Sequence, residues 1–139
     1  MIRGVGYYST RMSEADPRSI YEQVGGHETF ERLVDAFYAA VETDPVLRPL
    51  YPPTLDEPKL HLGLFLSQFF GGPDVYSQRR GHPRLRARHL PFRIGRKERD
   101  AWVAHMEAAL DASGIPEPAC SQMREYFQEA ATFLINQLE

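Results

Sequence analysis

Five histidines are the residues of this chain best suited to bind a metal or move a proton: His27, His61, His82, His89 and His105. None belongs to a His-Glu-x-x-His pair, and the single cysteine, Cys120, rules out a cysteine-based cluster, so the usual zinc signatures are absent. His89 differs from the others in its setting, Arg86-Ala87-Arg88-His89-Leu90-Pro91-Phe92. Pro91 must end any helix just after it, which leaves the imidazole near a helix C-terminus where unpaired carbonyls can accept one ring hydrogen and turn the other nitrogen towards a metal. Around it, between Asp74 and Glu98, lie eight cations and no acid: Arg79, Arg80, Arg84, Arg86, Arg88, Arg93, Arg96 and Lys97. Such a patch suits a small anionic ligand, nucleic acid or plain solvent, and guanidinium forks match carboxylates well. Tyr38 and Trp102 fall on apolar helical faces, where a polar hydrogen needs a partner, and Tyr51 precedes two prolines.

The elements that must position these groups read as helices throughout. Ser19 opens a short helix stopped by Gly25-Gly26, and Phe30, Leu33, Val34, Phe37, Tyr38 and Val41 recur at spacings of three and four over 28–43. Pro45 begins a brief turn through Leu50, and Tyr51-Pro52-Pro53 is irregular. A further helix is expected from a cap at Asp56, with Pro58 in its first turn, up to Gly71-Gly72-Pro73. Residues 73–94, interrupted by Pro83 and Pro91, offer one helical turn leading to His89, and helices at about 96–112 and 118–137 finish the chain. No alternating β-branched strand appears, so the fold class is all-α.

The 139 residues suit one domain, read as a flexible N-terminal extension over 1–17 and a helical domain over 18–139. With 42% hydrophobic and 25% charged residues the chain can bury a core without staples. A net charge of -3 argues against a general nucleic-acid or anionic-membrane role, no apolar run approaches a membrane span, and one cysteine fits a reducing compartment, so the expected location is cytoplasmic.

The blocks Gly25-Gly26, Phe37-Tyr38, Leu47-Arg48-Pro49-Leu50-Tyr51-Pro52, Gly71-Gly72-Pro73 with Tyr76-Ser77, Arg80-Gly81-His82-Pro83-Arg84-Leu85-Arg86, Arg88-His89, Pro91-Phe92 and Glu98-Arg99-Asp100-Ala101-Trp102 resemble, in order and spacing, a truncated haemoglobin of group II. The resemblance runs from about Ser19 to the C-terminus. It implies a shortened globin, helices two-over-two around one haem b (iron protoporphyrin IX), with His89 as the proximal iron ligand and Tyr38, Tyr51 and Trp102 as polar aromatics on the distal side. It also implies pocket-lining roles for Leu62, Phe65, Phe92 and Met106, and a propionate partner in Arg88. Two positions depart from the family pattern: Phe69-Phe70 replaces a frequent Tyr-Trp pair, and the loop from Pro52 to Glu57 differs in length. The usual distal histidine position therefore falls near Pro58, which has no side-chain donor, and His61 is expected to face solvent or the haem edge.

Implied with the family is the binding of O₂, CO, NO or peroxide, with Tyr38 and Trp102 as hydrogen-bond donors to a ligand that gathers negative charge. The alternative activity is that of a peroxidase or NO dioxygenase; no flavin or nicotinamide signature is present, so a separate reductase would supply electrons. A third reading, a helical adaptor whose arginines bind nucleic acid or an acidic partner, predicts a colourless protein. Monomer and homodimer both remain open.

Overall fold

The computed structural model describes residues 18–138; the N-terminal extension expected over 1–17 lies outside the described residues. Seven α-helices and one 3₁₀ turn are found among the described residues, with no strand: α1 (Ile20–Val24), α2 (His27–Val41), the turn Arg48–Leu50, α3 (Asp56–Phe69), α4 (Val75–Arg80), α5 (Leu85–His89), α6 (Arg96–Ser113) and α7 (Ala119–Phe133). No helix among them is long and apolar enough to cross a membrane.

Local chemistry accounts for most of the boundaries. Ser19 and Glu22 form a reciprocal capping box at the start of α1, and Gly25 ends it at φ 103°, in the left-handed region where a side chain is strained. α2 buries Phe30, Leu33, Val34, Phe37, Tyr38 and Val41, the whole apolar face expected from the sequence. Gly95 and Glu98 cap α6, the Glu98 carboxylate accepting from the Gly95 N–H at 2.9 Å, and this bond holds the Glu98 carboxyl below its usual range.

Three boundaries differ from the sequence reading. Asp56 is the first residue of α3 rather than its cap, a place Leu55 takes; the carboxylate instead sits in the first turn, where the helix dipole favours it. Residues 73–94 hold two short helices, not one turn, because Gly81-His82-Pro83 breaks the chain between them and Arg84 adopts φ 46°. α7 stops at Phe133 rather than near 137, since the amides of Asn136 and Gln137 bond to the Ile94 carbonyl, at 2.8 and 3.2 Å.

Helices α2 and α3 pack together, as do α6 and α7, and α2 crosses onto α6. The result is two helix pairs stacked on one another, with Phe30, Phe37, Phe127, Leu33, Met106 and Met123 fully buried between them. The short α4 and α5 lie outside this sandwich. Between residues 73 and 94 only Tyr76 is buried.

Close approach at the end of α3 ties α1 to the sandwich. The Tyr21 amide donates to the Phe70 carbonyl at 2.9 Å, and its ring stacks on Phe30. A Cβ on Gly72 would stand 2.6 Å from Tyr21 ring carbons and 2.8 Å from the Ser67 carbonyl oxygen. Neither the ring, held in its stack, nor the backbone can move aside cheaply. Gly72→Ala should therefore lower the free energy of unfolding by about 1–3 kcal/mol, read from urea denaturation at neutral pH.

Candidate functional site

One cavity of about 490 Å³ opens between α3, α5, α6 and α7, within the range of roughly 300–1,000 Å³ typical of cofactor and ligand pockets. Its walls are mostly apolar, built from Leu62, Phe65, Leu66, Leu85, Phe92 and Ile94 among others. His89 lines it from α5, Tyr38 from α2, Trp102 from α6 and Tyr51 from the end of the 3₁₀ turn.

His89 is the last residue of α5. Its Nδ1 lies 2.6 Å from the Leu85 carbonyl oxygen of the same helix. A carbonyl can only accept, so Nδ1 carries the proton and Nε2 is left as the basic, metal-competent nitrogen. Three of the remaining histidines are engaged elsewhere. His27 bonds Ser67 at 2.7 Å, His82 accepts from the Arg84 amide, and His105 bonds Asp44 at 2.5 Å. His61 does reach the cavity, but its Nε2 faces the Arg80 guanidinium at 3.2 Å, and burial and that charge together push its pKa down. Among the described residues no three His, Cys, Asp or Glu side chains cluster as a metal cage, so a metal here would have to arrive with ligands of its own.

The three polar aromatics form a network. Tyr38 is 4% exposed, and burial first, then the neighbouring Tyr51, pushes its hydroxyl far above the usual phenol range. Burial likewise raises Tyr51, while hydrogen bonds from Tyr38 and Trp102 to its oxygen partly oppose the rise. Both hydroxyls stay protonated at any physiological pH. Trp102 has only a hydrogen to give, so it can meet the Tyr51 oxygen only as a donor, whereas either of the two hydroxyls can donate to the other. The rings of Tyr38 and Tyr51 meet edge to face at 5.4 Å, and Trp102 is wedged against Phe37 and Phe127 at 5.2 and 5.8 Å.

Tyr51 follows the turn Arg48–Leu50, and two side chains fix that turn. Asp44 accepts from the amides of Val46 and Leu47 at 2.7 and 3.0 Å and from His105 at 2.5 Å. Arg48 donates to the carbonyls of Pro52 and Pro53 at 2.8 and 2.7 Å. Sequence reasoning overlooked both; an aspartate just before Pro45, able to cap the following turn, was the available signal.

The other expected site residues divide. Leu62, Phe65 and Phe92 line the cavity, and Pro58 lies in its wall without any N–H to offer. Met106 does not: it is 0% exposed in the interior of the sandwich, one turn beyond Trp102, whose indole takes the place on the wall. Arg88 lines the cavity but also staples the α4–α5 corner, donating to the carbonyls of Pro83 at 2.8 Å and Arg80 at 2.9 Å. Arg80 and Arg88 both lie against the Tyr76 ring, placing two guanidinium groups and His61 along one polar edge. Tyr76, Leu85 and Ile94 are wall residues that the sequence alone did not single out.

Two stacked helix pairs, short helices carrying an imidazole, and an apolar slot lined also by polar aromatics define a shortened globin. The family model of bacterial-like globins matches residues 19–136. The chain is 39% identical to the group 2 truncated hemoglobin YjbI of Bacillus subtilis (strain 168) over 123 residues, covering 86% of this chain and 89% of that one. Among solved structures, a hemoglobin of the thermophilic bacterium Chloroflexus aurantiacus superposes with a TM-score of 0.85 at 59% identity, covering 86% and 99% of the two chains. The group II truncated hemoglobin of Bacillus anthracis gives 0.84 at 38% identity over 88% and 94%. The chain belongs to the bacterial-like globins, as a truncated haemoglobin of group II. It is thus a haem globin that binds small ligands such as O₂.

The residues present fit that group. The His89 imidazole, the apolar walls and the cationic edge are suited to serve, respectively, as an iron ligand, a bed for a flat macrocycle and partners for carboxylates.

The Asp44 anchor has a measurable pH signature. His105 first, then the Leu47 amide, holds its carboxyl below the usual range. A carboxylate whose folded pKa lies below its unfolded value of about 3.9 adds stability above that pH and loses it as pH falls through the folded value. Wild type should therefore lose more stability than Asp44→Asn between about pH 5 and pH 2, measured by urea denaturation across that range.

Proposed function

We propose that the protein captures O₂ at a haem b held by His89 and releases it slowly, with Tyr51 as the hydrogen-bond donor to the ligand. The observation that carries this is the grouping of Tyr38, Tyr51 and Trp102 along the cavity, with the two phenol rings meeting edge to face at 5.4 Å. Trp102 can only donate and two hydroxyls share one hydrogen between them, so one phenol hydrogen is left for the cavity, and this reading gives it to Tyr51, which lines it. Tyr38 and Trp102 then act by aiming and polarising Tyr51, a relay rather than two separate donors.

When bound, the haem supplies an iron with one open position, where a diatomic ligand gathers partial negative charge. The chain's part is to meet that charge with a hydrogen already in place. Tyr51 is held by its turn, Tyr38 by burial and Trp102 by its aromatic neighbours, so little reorganisation is needed. Pro58 adds no competing donor from α3. His89 donates through Nδ1 to Leu85 and so keeps Nε2 neutral and directed. Cys120 is buried on α7 and is absent from the cavity wall, which supports a porphyrin held without a thioether link. Arg80, Arg88 and His61 are the groups suited to its carboxylates.

Slow release suits capture, sensing or redox chemistry better than bulk delivery. A second reading, peroxidase or NO dioxygenase turnover with a separate reductase, is favoured by the exposed Arg79, Arg84, Arg86, Arg93, Arg96 and Lys97 on the segment around His89, a surface matched to an acidic electron donor. Peroxide turnover no faster than that of free haem would remove it.

The main reading makes two checkable statements. His89→Ala should abolish the Soret band of a normally ligated ferrous globin and its Fe–His stretching mode in resonance Raman. Tyr51→Phe should speed O₂ dissociation about ten- to a hundredfold, one charge-assisted bond being worth roughly 1.5–3 kcal/mol. Tyr38→Phe and Trp102→Phe should each speed it less, by stopped-flow measurement. Unchanged release in Tyr51→Phe would refute the assignment of the donor.

A further inference from the structure

α5 has five residues and buries none of them, and a helix so short has no stability of its own in water. Leu90 just after it is 62% exposed and Phe92 is 42% exposed, so apolar packing does not hold its C-terminal side either. Something else must fix where His89 sits.

At the front of α5, Arg88 ties the corner to Pro83 and Arg80. At the back, a single residue from the end of the chain does the work. Asn136 lies beyond α7, where the chain leaves its helical path. Its Oδ1 accepts from the Ile94 amide at 2.9 Å, and its Nδ2 donates to the Phe92 carbonyl at 2.8 Å and the His89 carbonyl at 3.3 Å. Its own amide donates to the Ile94 carbonyl at 2.8 Å. One side-chain amide thus brackets the backbone from His89 to Ile94, and only a group with a donor and an acceptor in one plane can do so. Pro91, with no N–H, offers this loop one bond fewer of its own.

We propose that Asn136 is a positioning residue for His89: its bracket fixes the carbonyl end of α5 and thereby the place from which the imidazole would hold an iron. The proposal rests on His89 being the ligand. Asn136 lies outside the cavity wall, so its effect passes through the backbone and not through contact with haem.

Asn136→Ala removes both halves of the bracket. Asn136→Asp keeps the acceptor for Ile94 but sets a carboxylate oxygen against two carbonyl oxygens. Leu138→Ala, at a fully exposed position of the same tail, is the control. Each is compared with wild type in two measurements on the haem-loaded protein: the Fe–His stretching band of the ferrous, unligated form, and the rate of haem transfer to an excess of a colourless acceptor globin. The expected result is a shifted or broadened Fe–His band in both Asn136 variants, with haem transfer about tenfold faster or more, as loss of two bonds in Asn136→Asp and three in Asn136→Ala implies. Leu138→Ala should match wild type.

A residue that merely glues the tail down would lower the melting temperature and leave the band where it is. Wild-type band position and haem transfer in both Asn136 variants therefore overturn the proposal, whatever happens to the melting temperature. An Fe–His band that survives His89→Ala overturns it by a different route, since the ligand assignment itself then fails; that variant tells the two failures apart.

Discussion

The hydrogen bond from the His89 ring to the Leu85 carbonyl, 2.6 Å within a single turn of helix, is the contact on which the rest of the site depends. It leaves Nε2 as the ring nitrogen free to accept, on a residue that lines the cavity. The bond needs Leu85 and His89 in helical register, four residues apart, yet five residues are too few to keep that register unaided. Hence the surrounding devices: the glycine and proline that separate α4 from α5, the Arg88 staple, Pro91 as a stop, and the Asn136 bracket. Each makes sense as support for one short helix whose last residue matters.

The polar aromatics solve a different problem. Tyr38 is buried and Tyr51 and Trp102 are half-buried around Phe37 and Phe127, where an unmatched donor would cost about 1–3 kcal/mol. Trp102 can only donate and the two hydroxyls can satisfy one hydrogen between them, so the remaining demand falls on one phenol hydrogen at the cavity. A ligand able to accept from it completes the network, and one that cannot accept leaves it incomplete. Discrimination between polarised and unpolarised diatomic ligands follows from this arithmetic of donors and acceptors.

Much of this was legible in the sequence. The apolar face of α2, the stop at Gly25-Gly26 and the break at Pro91 follow from local periodicity and backbone chemistry, and the structure has them where they were expected. The resemblance supplied the two-over-two arrangement, which periodicity could not. What stayed hidden involved partners far apart in the chain. Asn136 reads as the end of an amphipathic helix until Ile94, 42 residues earlier, is brought beside it; Asp44 and His105 are 61 apart. Met106 shares a helical face with Trp102, yet only the packing of the indole decides which of the two meets the cavity and which the core. Which hydrogens point at Tyr51 is likewise a matter of three elements meeting.

Residues 73–94 contribute only Tyr76 to the buried interior, although this stretch carries His89. Cooperative unfolding is set by buried apolar contacts, and a stretch with so few can open while the helix pairs stay closed. Such partial opening would expose one wall of the cavity without dismantling the core. It gives a large flat cofactor a way in and out that does not require unfolding the protein, and it ties the residence time of the cofactor to how this segment is held in place more than to overall stability.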